Sequence, residues 1–239
     1  TQFETLLNQV YAAWLGKLIG IRLGAPVENW TYEQIRDTYG KLNGYPVDYG
    51  VFAADDDSNG PLFFARALER YGKDVTAEQM GETLLSVASI GHGFFWWGGI
   101  GVSTEDTAYH NLLNGIKAPA SGSAEVNGRT MAEQIGGQIF SDCWGYVSAG
   151  NAEVAVDLAA KMSSVTHGGD GIEGGKFVAA CIALAFNETD VRTVIDKALM
   201  YLNPESDYVA CVKDVLFMKD SGMSMEECRS VIFDKYSYA

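Results

Sequence analysis

Residues 52–61 read FAADDDSNGP and set Asp55, Asp56 and Asp57 side by side, with no Lys or Arg between them. Two unit charges about 4 Å apart repel by roughly 1 kcal/mol even at the dielectric of water. Bulk solvent, a helix N-terminus or a cation must offset that repulsion. Oxygen ligands of this kind suit Mg²⁺, Ca²⁺ or Mn²⁺ rather than zinc. Adjacent Asp residues on a regular helix point different ways, so a common focus calls for an irregular loop. A second reading has Asp57 or Ser58 capping a helix that starts at Pro61, with the other carboxylates in solvent. On the residues alone both readings stand.

Three further places could do chemistry. Glu28 follows a glycine-spaced helix end and is, by itself, a surface carboxylate. His167 and Gly168 lie in THGGDG, where flexible glycines surround one imidazole. That ring either meets a ligand or is satisfied by backbone. GHGFFWWGGIG (91–101) puts Trp96 and Trp97 where they would line a pocket for a planar ligand or pack in the core. Its glycines, like those of 166–171, would let backbone approach a phosphate at a pocket border. Cys143, Cys181, Cys211 and Cys228 are far apart and form no CxxC pair, which argues for free thiols rather than a structural zinc site.

The elements that must position these residues read as helices throughout. In FETLLNQVYAAWLGKLIGIRLG the apolar residues recur at helical spacing. Gly16, Gly20 and Gly24 fall four apart, and Pro26 breaks the pattern. Residues 40–60 read as loop, followed by a helix from Pro61 to about Gly72. TAEQ (76–79) and SMEE (224–227) are capping boxes. Further helices are expected near 104–114, near 129–140 after a loop to 128, from an Asn151 cap to Val165, over Ile172–Phe186, and after a Thr189 cap. NPES (203–206) reads as a turn, and no alternating strand pattern stands out. The expected fold class is all-α.

The chain has 239 residues, 47% apolar composition and a formal net charge of −14. That length supports one substantial core, and the acidic balance argues against nucleic-acid backbone binding. No run of 18 apolar residues marks a membrane span. A cytoplasmic location is expected from the cysteine usage. Thr1 in place of Met reads as a trimmed start that leaves room for a removed signal.

Taken together, these segments resemble the ADP-ribosylglycohydrolase family. GKLIGIRLGAPVE is similar to the family's Gly-rich first helix ending in a glutamate, here Glu28. ADDDS resembles its Thr-Asp-Asp-Thr metal motif, with Ser58 in place of the second Thr. The block from EQIGGQIF through THGGDGIEGGKFVAACIALAF is similar to a central block of bacterial members. The resemblance implies an all-α fold of orthogonally packed helices and two Mg²⁺ ions in a cleft that binds ADP-ribose. It also implies hydrolysis of the ribosyl C1″ bond of an ADP-ribosylated protein or related compound. Asp55, Asp56 and Asp57 would be metal ligands and Glu28 the catalytic carboxylate. His167, Gly168, Trp96 and Trp97 would contact substrate.

Departures from the family pattern accompany the match. Ile21 stands where many members carry Asp, and Phe140 lies at about the position of an Arg in some members. No Asp-x-Asp-[Thr/Ser], the second metal motif, lies between residue 190 and Ala239. Residues 1–239 are therefore expected to form one ADP-ribosylglycohydrolase-like domain lacking its C-terminal part. At most one Mg²⁺ is well supported, and full activity is expected to need a partner chain or segment carrying the second motif. The alternative is a non-catalytic member that binds a nucleotide-like ligand or serves a structural role.

Overall fold

The computed structural model describes residues 1–48, 50, 55–89 and 98–237. All the regular elements among the described residues are helical, as the sequence predicts. The chain divides into two compact units, Thr1–Leu62 and Phe63–Ala239.

The first unit is built on α1 (Gln2–Gly24). The Glu4 N–H donates to Thr1 Oγ1 at 3.3 Å, and the Thr1 ammonium reaches Glu4 Oε2 at 2.6 Å, closing a capping box. No residue of α1 is buried; Phe3 and Tyr11 are 71% and 68% exposed. A short 3₁₀ turn, Ala25–Val27, takes in Pro26 and delivers Glu28 at the end of the helical run. Next, α2 (Tyr32–Tyr39) opens on a second capping box between Thr31 and Gln34.

The following helix, α3 (Asp56–Tyr71), starts five residues before the expected Pro61, which lies inside it. Asp55 supplies the reason. The Ser58 N–H donates to Asp55 Oδ1 at 3.1 Å, and the Asp55 N–H donates to Ser58 Oγ at 3.1 Å. This reciprocal pair is a capping box made from Asp and Ser, satisfying two donors that a helix start leaves open. Pro61 has no N–H to offer the Asp57 carbonyl four residues earlier, yet the helix runs on. It ends where expected, before Gly72 at φ 73°.

The second unit carries α4 (Ala77–Val87), α5 (Thr104–Leu113), α6 (Ala124–Asn127), α7 (Arg129–Ala132), α8 (Gly136–Ile139), α9 (Asp142–Val147), α10 (Ala152–Thr166), α11 (Asp170–Ala185), α12 (Val191–Leu199), α13 (Asp207–Asp220) and α14 (Met225–Tyr236). The capping boxes at Thr76 and Ser224 and the Asn151 cap form as expected. Around α10 gathers a core that includes Phe64, Met80, Phe140, Trp144, Leu158 and Met162. Each large apolar side chain buried there contributes about 1.5–3 kcal/mol.

Two expectations for this unit are corrected. Residues 129–140 form two four-residue helices rather than one long one. Between and within them the backbone is pressed against α11: a Cβ on Gly137 would lie 2.3 Å from the Gly171 carbonyl oxygen. The cap of α12 is Asp190, not Thr189, because Asp190 Oδ2 accepts the Thr193 N–H at 2.7 Å. Asp190 is the residue three positions before that donor, the spacing a cap requires.

Candidate metal centre

The acidic triplet occupies a helix start rather than the irregular loop expected for convergence. Asp55 caps α3, and Asp56 and Asp57 fill its first turn. A cap residue stands outside the helix and turns its side chain back over the first turn, so Asp55 meets the other two. One carboxylate oxygen from each of the three lies within 4.8 Å of the others, and all three residues are half-buried. Backbone donors orient the cluster. Asp55 Oδ1 takes the Ser58 N–H, and Asp56 Oδ1 takes the Asp57 N–H at 3.2 Å. A carboxylate has two oxygens, so this fixing leaves each group an oxygen to offer elsewhere.

The electrostatics show the strain of that assembly. Burial, then the charges of Asp56 and Asp55, push the Asp57 carboxyl up to about 6. Burial is also the main cause that raises Asp56, with Asp55 adding to it. The charge of Glu28, an exposed residue, pushes Asp57 slightly the same way. Lys17 on α1 pulls both Asp56 and Asp57 down. Sequence reading passed over Lys17. The available signal was its position inside GKLIGIRLG, four residues before Ile21.

His167 is fully buried in the second unit. Its Nε2 accepts the Gly137 N–H at 3.2 Å, and Nδ1 lies 2.6 Å from Thr166 Oγ1. Accepting at Nε2 assigns the ring proton to Nδ1, which donates to Thr166. Burial alone pushes the imidazole down to about 3. The ring is thus a neutral group satisfied within the protein. Gly168 is also tied internally, donating to the Ala132 carbonyl at 3.0 Å. Trp96 and Trp97 lie outside the described residues. At the described end of the Gly-aromatic stretch, Gly98, Gly99 and Gly101 have φ between 80° and 85°. The Gly101 N–H donates to Thr107 Oγ1 at 2.8 Å, and the Ser103 N–H donates to the Gly99 carbonyl at 2.8 Å. These two amides serve the start of α5.

The second unit also holds a cavity of about 600 Å³ whose lining includes Glu133, Gln138, Asp170, Gly174, Tyr208 and Lys235. Its walls come from the EQIGGQ and DGIEGG segments, together with α13 and α14. Arg129 bridges Glu133 at 2.6 Å and Asp207 at 2.8 Å, and Asp170 Oδ2 accepts the Tyr208 N–H at 3.1 Å. Burial raises the Asp170 carboxyl. Asp170 and Gly171 of the 166–171 segment line this cavity, which contains none of the acidic triplet.

No helix among the described residues is long and apolar enough to cross a membrane. A family model described as ADP-ribosylglycohydrolase matches residues 3–238. The chain belongs to that family, and its all-helical structure agrees with the family fold. No curated protein and no solved structure matches the chain.

Proposed function

We propose that this member of the ADP-ribosylglycohydrolase family is a metal-dependent hydrolase of the ribosyl C1″ bond in an ADP-ribosylated protein or a related ADP-ribosyl compound. The observation that carries the reading is the convergence of Asp55, Asp56 and Asp57 within 4.8 Å. The donor set fits a hard divalent cation: three carboxylates, two of them held by backbone donors, with Asp57 raised by burial and then by the charges of Asp56 and Asp55. Asp55, Asp56 and Asp57 would hold such an ion, which would supply Lewis-acid charge toward ribose hydroxyls and a nearby water.

The chain's own residues do the rest. Glu28, whose charge acts on Asp57, is the proposed carboxylate that accepts a proton from the attacking water. The same negative charge steadies the positive charge that develops on the ribose as the C1″ bond breaks. Lys17 limits the repulsion among the carboxylates while the site awaits its cation. Mg²⁺ is the proposed ion, and Mn²⁺ offers the same ligand preference.

The test is release of free ADP-ribose from an ADP-ribosyl peptide. Chelator-treated protein should be inactive, and added Mg²⁺ or Mn²⁺ should restore turnover, in full only with a partner chain or segment that carries the second motif. Cation binding without turnover by any ADP-ribosyl substrate would favour the non-catalytic, ligand-binding reading instead.

A further inference from the structure

Glu28 stands on a tight turn of the first unit. Val27, Glu28, Asn29 and Trp30 form it, and the Trp30 N–H donates to the Val27 carbonyl at 3.0 Å. Glu28 has φ −56° and ψ 135°, and Asn29 has φ 63°. These are the angles of a type II turn, whose third residue must take a left-handed backbone. Asn29 is the one non-glycine residue with positive φ among the described residues. Asn accepts that conformation at a lower cost than most side chains. The Cα atoms at the two ends of such a turn are less than about 7 Å apart, so Glu28 and Trp30 are held close together on one constrained piece of backbone.

The Trp30 ring is held but not covered. It stacks on Tyr39 at the end of α2, with the centroids 6.0 Å apart and the planes 18° apart, and the residue stays 40% exposed. Stacking on one side fixes the indole and leaves surface open to a ligand. In the same unit Arg22 lies over the Tyr45 ring at 5.1 Å and Arg36 over the Tyr32 ring at 5.8 Å. Indole is the ring that holds a cation best, yet among the described residues no Arg or Lys lies over Trp30. Glu28, on the same turn, adds a negative charge that favours a cation there over a phosphate.

We propose that Trp30 is a specificity-determining residue that stacks on the group leaving ribose C1″, and that this group is a planar cation, a guanidinium. The inference rests on the proposed role of Glu28 at the reacting carbon. A carboxylate that acts at C1″ has the breaking bond beside it. The side chain two residues along a tight turn is therefore placed for the leaving group rather than for the distant nucleobase. A guanidinium offers both a plane and a delocalised charge to the indole. A hydroxyl-linked acceptor such as serine offers neither.

Hydrolysis of two peptides, one carrying ADP-ribose on arginine and one on serine, tests this in the parent, Trp30→Leu and Trp30→Phe. Slow turnover suffices, because each comparison is a ratio. In Trp30→Leu the KM for the arginine-linked peptide should rise about fivefold while kcat stays within about twofold. Trp30→Phe should recover much of that loss, and neither variant should move the KM for the serine-linked peptide. A change that is equal for both peptides, or a fall in kcat at constant KM, overturns the role of Trp30 and leaves the hydrolase reading standing. Turnover of the serine-linked peptide alone does the same. Turnover of neither peptide by the parent removes the hydrolase reading and this role with it. Should Trp30→Leu not fold, the Trp30 indole N–H resonance decides, assigned by its loss in Trp30→Phe and followed in Glu28→Gln protein with Mg²⁺. The arginine-linked peptide should shift it and the serine-linked peptide should not; an equal response to both, or none, overturns the stack.

Discussion

Asp57 and His167 are both titratable groups held partly or wholly out of water, and their surroundings differ. Around His167 the second unit supplies a backbone donor, a hydroxyl and close-fitting glycines, and the group stays neutral. Around Asp57 the first unit supplies two more carboxylates and the charge of Glu28, with Lys17 as the opposing charge. Burial disfavours the charged form in both cases. Only at His167 is the uncharged group fully provided for by the protein. A histidine so provided for has its polar atoms satisfied within the protein; the crowded carboxylates are the groups that a cation would relieve under the proposed reading.

The contrast is sharpest in how each region tolerates change. Gly137→Ala in the second unit should destabilise by about 3 kcal/mol, because the added Cβ meets the Gly171 carbonyl oxygen at 2.3 Å and backbone cannot step aside. For a chain of this size that corresponds to a fall in Tm of roughly 10 °C. A melting curve within about 2 °C of the parent would show that the two walls are not close-packed as described.

Glu28→Gln tests the other region by activity. Turnover of ADP-ribosyl substrate should fall about 10²-fold or more while cation affinity stays within about threefold. Unchanged turnover would remove Glu28 from the role of base.

Asp57 adds a pH dependence. Its folded pKa of about 6 lies above the ordinary 3.8, so the folded state holds the proton more tightly. Its stabilising contribution is complete below about pH 3.8 and is lost as pH rises through about 6. Metal-free Asp57→Asn should therefore be more stable than the parent at pH 8, by on the order of 1 kcal/mol once solvent screening is allowed for, with no such gain at pH 4. Equal denaturant midpoints at pH 8 would mean that Asp57 feels no crowding.

The smallest effect is expected on α1. A Cβ on Gly16 meets nothing within 4 Å among the described residues, so Gly16→Ala should stabilise by up to about 1 kcal/mol through helix propensity. A loss of stability would show that this glycine face is covered.

Much of this was legible in the sequence because it is local. The long first helix follows from apolar spacing, and the caps at Thr76, Asn151 and Ser224 from side chains three residues from their donors. The start of α3 was misplaced because proline is a louder signal than an Asp55–Ser58 capping pair. That same error put the triplet in a loop, although a cap and a first turn can also converge. The split of 129–140 was hidden for a different reason. Gly136 and Gly137 are shaped by contacts with His167 and Gly171, some 30 residues away. The burial of His167 was hidden likewise, since a loop histidine between glycines looks the same whether the glycines admit a ligand or another part of the chain.

Calorimetric titration of chelator-treated protein with Mn²⁺ or Mg²⁺, alongside the Asp56→Asn, Asp57→Asn double variant, tests the central claim most directly. The account predicts saturable binding of about one ion per chain, weakened about 30-fold or more in the double variant while its fold, read by circular dichroism, is kept. Absence of binding at millimolar cation, or equal binding by parent and variant, would contradict the assignment of Asp55, Asp56 and Asp57 as the metal centre.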